Sequence, residues 1–297
     1  MYFADSSRLG RPYAKDPKVV LFKNRYWMYY SIPANEQNGW GIGIAQSTDL
    51  RNWKKLGELA PQEAYEKNGI CAPGALVRND TLHLFYQTYG NGRKDAICHA
   101  WSVDGIHFTR NATNPVFHPM GDWNCGRAID AEVVQFRNKY FLYFATRDTA
   151  YKIQMQGVAV APLQSSFSRN EWTQAVDSAI LTPTLPWEKN CIEAASCLVK
   201  GKYLYMFYAG GYNNEPQQIG IARSRDGLVW ERLSKQPFLP NGPAGSWNES
   251  ESGHPDIFSD RDGKLHLFFQ GNKDKGKTWF LSRLPVHFTR KGTFSLE

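Results

Sequence analysis

Hydrophobic positions along this chain fall in short runs, and the runs recur as a phrase. Each phrase opens on one singular residue, passes through a short apolar strand and a tight turn, and enters a second strand rich in aromatics. Asp16-Pro-Lys-Val-Val-Leu-Phe leads to Tyr-Trp-Met-Tyr-Tyr, Ala72-Pro-Gly-Ala-Leu-Val to Leu-His-Leu-Phe-Tyr, and Asp130-Ala-Glu-Val-Val-Gln-Phe to Tyr-Phe-Leu-Tyr-Phe. Glu193-Ala-Ala-Ser-Cys-Leu-Val and His254-Pro-Asp-Ile-Phe-Ser open the last two, so the starts lie 56, 58, 63 and 61 residues apart. A third strand of small and apolar residues follows in most units, as in Gly41-Ile-Gly-Ile-Ala and Gly157-Val-Ala-Val-Ala. Strands joined by such short turns form antiparallel hairpins, and strand-rich repeats of roughly 40–60 residues indicate propeller blades. The pattern predicts an all-β, five-bladed β-propeller with about four antiparallel strands per blade. It forms a single domain over residues 1–297, with blades starting near 16, 72, 130, 193 and 254.

Three units close on a Ser-x-Asp turn followed by an aromatic: Asp49 to Trp53, Asp104 to Phe108 and Asp226 to Trp230. An Asp heading a turn accepts hydrogen bonds from backbone N–H groups two residues on. These aspartates are therefore structural, and the aromatic packs between blades.

In a propeller the first strand of each blade is innermost and lines the central channel. It is an edge strand, which tolerates Pro17, Pro73 and Pro255 directly after the opening position. Asp16, Asp130, Glu193 and His254 are thus expected to converge at one mouth of the channel, with Ala72 leaving room for a ligand. Three carboxylates gathered this way repel one another unless function or a cation requires them. Inverting glycoside hydrolysis has such a use: one carboxylate deprotonates water, and a carboxylic acid roughly 6.5–9.5 Å away protonates the leaving oxygen. A third carboxylate beside the acid raises its pKa.

Composition narrows the alternatives. The chain is 42% apolar, enough for a sizeable core, and 14% aromatic, which suits sheet packing. Its net charge of +7 is spread without basic runs, which argues against nucleic acid as a partner. Five cysteines form no CxxC pair and read as buried thiols without a disulfide framework or zinc site. No stretch of 18 apolar residues exists to span a membrane, and the N-terminus lacks the apolar core of a signal peptide, which leaves the compartment open.

At its candidate carboxylates the chain resembles glycoside hydrolase family 43, five-bladed enzymes acting on arabinose- and xylose-containing glycans. The phrases Lys-Asp16-Pro-Lys-Val, Arg-Ala-Ile-Asp130-Ala-Glu and Cys-Ile-Glu193-Ala-Ala-Ser carry the resemblance. It implies a glycosidase of the arabinofuranosidase, xylosidase, endo-xylanase or arabinanase type, with Asp16 as general base, Asp130 tuning the acid and Glu193 as general acid. It also implies that His254 is the fifth-blade histidine that faces a water-coordinated calcium in some members, although no cofactor is required for the chemistry. The carbohydrate partner is expected to meet the rim at Trp40, Trp123, Arg127, Trp187 and Trp247, together with His254. Asn124, Glu188 and Asn248 neighbour these positions, and Glu132 faces the deeper channel or pairs with a Lys or Arg.

Three alternatives share the blade pattern. A β-fructosidase would retain configuration, but its Asn-Asp-Pro-Asn-Gly and Arg-Asp-Pro phrases are missing. A mannoside phosphorylase would need a basic phosphate cluster, of which Arg127 alone is evident. A glycan-binding propeller would have little reason to keep all three carboxylates.

Overall fold

The computed structural model of the protein describes residues 2–296. Its strands form five antiparallel sheets, four of them running in chain order from an innermost strand outward and the fifth doing so up to its outer edge. The innermost strands are Lys15–Phe22, Ile70–Arg78, Ile129–Phe136, Ile192–Lys200 and Glu251–Ser259. Each touches the innermost strand of the next sheet, and the fifth touches the first, so the sheets close into a five-bladed propeller. The outer edge of the last blade is shared by the two chain ends. Phe3 pairs with Leu281 and Leu296 pairs with Val286, both on the strand Phe280–Phe288. Helical structure among the described residues is confined to one-turn 3-10 segments such as Ala64–Glu66 and Pro186–Glu188.

The local sequence explains the hairpins. Phe22 and Arg25 are joined by Lys23 and Asn24, Arg78 and Thr81 by Asn79 and Asp80, and all four linking residues take positive φ. That is the two-residue turn whose twist matches the strands it joins, and Asn and Asp tolerate it well. The Ser-x-Asp turns also form as expected. Asp49 Oδ1 accepts the N–H groups of Arg51 and Asn52, and Asp104 and Asp226 repeat the arrangement.

The core is divided among the blade interfaces. Five apolar clusters each join two adjacent sheets; Tyr29, Ile44, Leu84 and Cys98 join the first and second, and Leu142, Phe144, Phe85 and Ile97 the second and third. Turn aromatics seal these seams: Phe108 meets Tyr29, and Trp230 meets Tyr143. Buried ion pairs lock three blades radially. Glu66 accepts from Tyr86 and Arg110, Glu188 from Tyr208 and Arg232, and Asp5 from Tyr30 and Lys55. All five cysteines are free thiols.

Candidate active site

Every innermost strand carries the same irregularity. Pairing slips between Lys15 and Lys18, Cys71 and Gly74, Ile129 and Glu132, Glu193 and Ser196, and Gly253 and Asp256. Inside each slip one residue turns left-handed: Asp16 at φ 52°, Ala72 at 48°, Asp130 at 54°, Ala194 at 53° and His254 at 44°. Such a φ costs a residue with a Cβ about 1–2 kcal/mol. The neighbouring blade offsets part of this by accepting the N–H. Gln270 accepts from Asp16 at 3.0 Å, Ser31 from Ala72 at 2.8 Å and Gln87 from Asp130 at 2.8 Å. Pro17, Pro73 and Pro255 sit within the slips, where no ladder donor is needed.

This register corrects one expectation. The fourth member of the ring is Ala194, and Glu193 stands one position earlier, level with Lys15, Cys71, Ile129 and Gly253. In a regular strand that offset would turn Glu193 to the opposite face. The bulge lets consecutive residues reach the channel mouth, so Glu193 still meets Asp16, Asp130 and His254.

His254 is the hub. Its Nε2 lies 3.3 Å from Glu193 Oε1, and its Nδ1 lies 3.0 Å from Asp16 Oδ1. One oxygen each of Asp130 and Glu193 and one nitrogen of His254 lie within 4.8 Å of one another. Burial opposes charge on His254, but Asp16, Glu193 and Asp130 outweigh it and hold the ring well above its ordinary pKa, as imidazolium. Burial would likewise push Asp16 up, yet His254 and Lys15 hold its carboxyl well below the usual range. Asp130 is pushed up to about 7, chiefly by burial, with the charges of Glu193 and Asp16 adding to it against His254. For Glu193 burial is outweighed by the His254 contact and by Gln217, so its pKa falls. Near neutrality the Asp130–Glu193 pair therefore shares one proton, with Asp130 the more basic partner.

Glu193 is positioned by two glutamines. Gln217 Nε2 donates to Oε1 at 2.6 Å, and Gln154 Nε2 donates to Oε2. Above these groups opens a pocket of about 390 Å³, lined by Asp16, Asp130, Glu193, His254 and Ala72. Trp40 and Arg127 line it as expected; Trp40 packs against Tyr13 and Tyr89. The structure does not bring the other three tryptophans there. Trp123 packs beside Gly157 and Phe144, Trp187 stacks on Tyr208 over Gly220, and Trp247 packs on Phe269 over Gly271. Each fills the space left by a strand glycine, which fixes it in the blade. Glu188 is wholly buried, and Asn124 and Asn248 tie their own loops.

Further lining comes from the ends of second strands and the loops that follow them, among them Tyr89, Arg147, Tyr212, Asn213, Lys275 and Trp279. A hairpin's second strand ends beside the start of its first, so these loops must rim the same mouth. That topological signal was available in the sequence.

With this geometry in place, likeness to known proteins becomes informative. A model of glycosyl hydrolases family 43 matches residues 11–292. The chain belongs to that family. Among curated relatives, a sucrose-6-phosphate hydrolase of Zymomonas mobilis is 29% identical over 170 residues, covering 53% of this chain and 32% of that enzyme. The chain thus matches about a third of the length of that relative. Among solved structures, an endo-1,4-beta-xylanase of Bacteroides thetaiotaomicron superposes with a TM-score of 0.76 at 21% identity, covering 96% of this chain and 94% of that one. An alpha-L-arabinofuranosidase of Lactobacillus brevis gives 0.73 at 15% identity, covering 95% and 93%. At these identities the two structures support the fold alone.

Asp130, Glu193 and His254 of this family 43 chain each offer one ligand atom to a channel cation. Calcium seeks six to eight oxygen ligands, so water would have to supply most of its shell there. One layer deeper a cation is built in. Lys18 Nζ lies 2.6 Å from Glu132 and 3.1 Å from Asp256, and Ser196 donates to Asp256 at 3.2 Å. Glu132 thus pairs with a lysine, one of the two roles anticipated for it. Gly74 completes this layer because a Cβ there would meet Ala131 O at 2.1 Å.

Proposed function

We propose that this family 43 glycosidase is an inverting, exo-acting enzyme that removes arabinofuranosyl or xylosyl units from plant-type glycans. Asp16 is the general base, Glu193 the general acid, and Asp130 the group that supplies and tunes the acid's proton. The observation that carries the reading is the His254 bridge. The two ring nitrogens are about 2.2 Å apart, so the contacts to Asp16 and Glu193 keep those oxygens at most about 8.5 Å apart. That limit admits the roughly 6.5–9.5 Å of inverting pairs and also the roughly 5–5.5 Å of retaining ones, so the configuration of the product decides between them.

The roles follow from charge. Asp16, held ionised beside His254 and Lys15, accepts a proton from the attacking water. Glu193 must be protonated to act, and Asp130 carries the pair's proton close by. Transfer from Asp130 to Glu193 arms the acid and leaves the Asp130 carboxylate to stabilise positive charge developing on the sugar.

The test is a screen of aryl α-L-arabinofuranoside, aryl β-D-xyloside, arabinan and xylan, with proton NMR of the first-formed sugar. Inverted product from one of these supports the reading; retained configuration rejects it. The curated relatives favour a second reading, retaining hydrolysis of a β-fructoside. Release of β-fructose from sucrose by the purified chain would replace the first reading with that one.

A further inference from the structure

We propose that the pocket is built for a negatively charged glycan, with Arg147 and Arg127 forming the subsite that takes a carboxylate or phosphate group on the leaving-group side. The proposal rests on the glycosidase reading of the pocket floor and extends it to the class of substrate.

Two guanidinium groups converge on one amide oxygen. Arg127 Nη1 donates to Gln154 Oε1 at 3.3 Å, and Arg147 Nε donates to the same atom at 3.0 Å. Like charges so close repel, and their compensation is lopsided. Arg127 has Asp95 at 3.5 Å, although its buried Nε makes no hydrogen bond. Among the described residues Arg147 has no carboxylate in ion-pair range. It lies instead against the rings of Tyr151 at 4.5 Å and Tyr212 at 5.1 Å, and among the described residues its side chain donates through Nε alone. Arg93 also packs on Tyr151, at 5.2 Å, outside the residues that line the pocket. Lys15 and Lys275 line the same pocket.

A planar guanidinium stacked on aromatics, with its forked edge unspent, is preorganised for two-point binding of a carboxylate or phosphate. The anchor also sets which sugar bears the charge. Gln154 presents its oxygen to both arginines and its nitrogen to Glu193, so an anion on the arginine pair lies one side chain from the group that protonates the leaving oxygen.

The experiment compares disaccharides in which the cleaved sugar is joined to neutral xylose, to a glucuronate or to a sugar phosphate, at fixed ionic strength. The charged substrates should exceed the neutral one in kcat/KM by roughly tenfold or more, the scale of one charge-assisted pair. Arg147→Gln should bring that ratio toward one, and Arg147→Lys should restore part of it; circular dichroism checks that both variants fold. Whichever charged substrate gains more identifies the natural group. Inorganic phosphate and D-glucuronate should inhibit cleavage of the neutral substrate more than sodium chloride of equal ionic strength does, and lose that advantage in Arg147→Gln. Equal kcat/KM for charged and neutral substrates, with phosphate and glucuronate no better than chloride, overturns the proposal. If no glycoside is cleaved, the glycosidase reading fails separately. Quenching of tryptophan fluorescence by phosphate or glucuronate then decides the anion subsite, with xylose as the neutral control.

Discussion

Replacing Asp130 by Asn tests the proton-sharing pair directly. The carboxyl oxygens of Asp130 and Glu193 come within 4.8 Å of each other in a buried site. At an effective dielectric of about 20, two charges at that distance repel by about 3.5 kcal/mol, which corresponds to about 2.5 pH units. In the wild type burial, with this repulsion adding to it, lets the pair keep a proton until the pH rises through about 7. Without the repulsion Glu193 loses its proton at lower pH. The alkaline limb of kcat/KM against pH should therefore move down by about 1–2.5 pH units in Asp130→Asn, the lower figure allowing for relaxation, and kcat should fall throughout. Initial rates on an aryl glycoside from pH 4 to 9 measure this. Stability should change the opposite way. Folded Asp130 keeps its proton up to about 7, while the unfolded residue ionises near 4, so its ionisation costs stability as the pH rises between the two. Asn removes that cost, and Asp130→Asn should melt higher than wild type at pH 8 but not at pH 4. An alkaline limb that stays in place or moves up refutes the reasoning, because the proton lost there would then belong to another group.

Other perturbations separate chemistry from framework. Asp16→Asn and Glu193→Gln should each cut hydrolysis by at least about a thousandfold, within the span expected when an acid or base is removed, with melting temperatures within a few degrees of wild type; near-normal turnover by either contradicts its assigned role. Lys18→Met leaves Glu132 and Asp256 buried without their cation, at a cost of about 3–5 kcal/mol, and should lower the melting temperature by about 10 °C. That loss should be larger at pH 8 than at pH 5, because burial already raises the Glu132 pKa and ionising it without Lys18 is the costly step; calorimetry at both pH values checks the sign. Trp40→Ala should raise KM with little change in stability. Trp187→Ala should instead cost about 3–5 kcal/mol and leave the KM of the folded fraction near wild type, a contrast that steady-state kinetics and thermal melts resolve.

The architecture was legible because its signals are local. Two-residue turns of Asn and Asp, aromatic second strands and Ser-x-Asp turns each report on a few neighbouring residues, and repetition multiplies them. The site was legible as a set of residues but not as a register. Aligning blades on their ionisable residues put Glu193 in the ring, whereas the backbone puts Ala194 there. A better ruler was available. Glu-Lys-Asn-x-Ile occurs at 66–70 and again at 188–192, which sets Ala72 level with Ala194. Trp123, Trp187 and Trp247 likewise stand seven residues before Asp130, Ala194 and His254. The same repeat identifies Glu66 and Glu188 as equivalent framework residues. The tryptophans were misplaced because proximity in sequence to the channel mouth says nothing about which way a loop side chain turns. Glycines 157, 220 and 271 draw them inward. The arginine pair was missed for a different reason: Arg147 and Gln154 face each other across a hairpin, and Arg127 reaches them from another segment.

The slip in each innermost strand has a consequence for how such a ring changes over evolution. Ordinarily a strand offers the channel every second residue, so a functional group can relocate only in steps of two. Here two successive positions in a blade can face the ligand. A carboxylate can migrate from one to the other by point substitution, without an insertion and without disturbing the hairpins outside. Blade four uses the earlier position for Glu193, while blades one, three and five use the later one. The scaffold behaves as a panel with spare sockets, and chemistry can be rewired on it while the wiring behind stays in place.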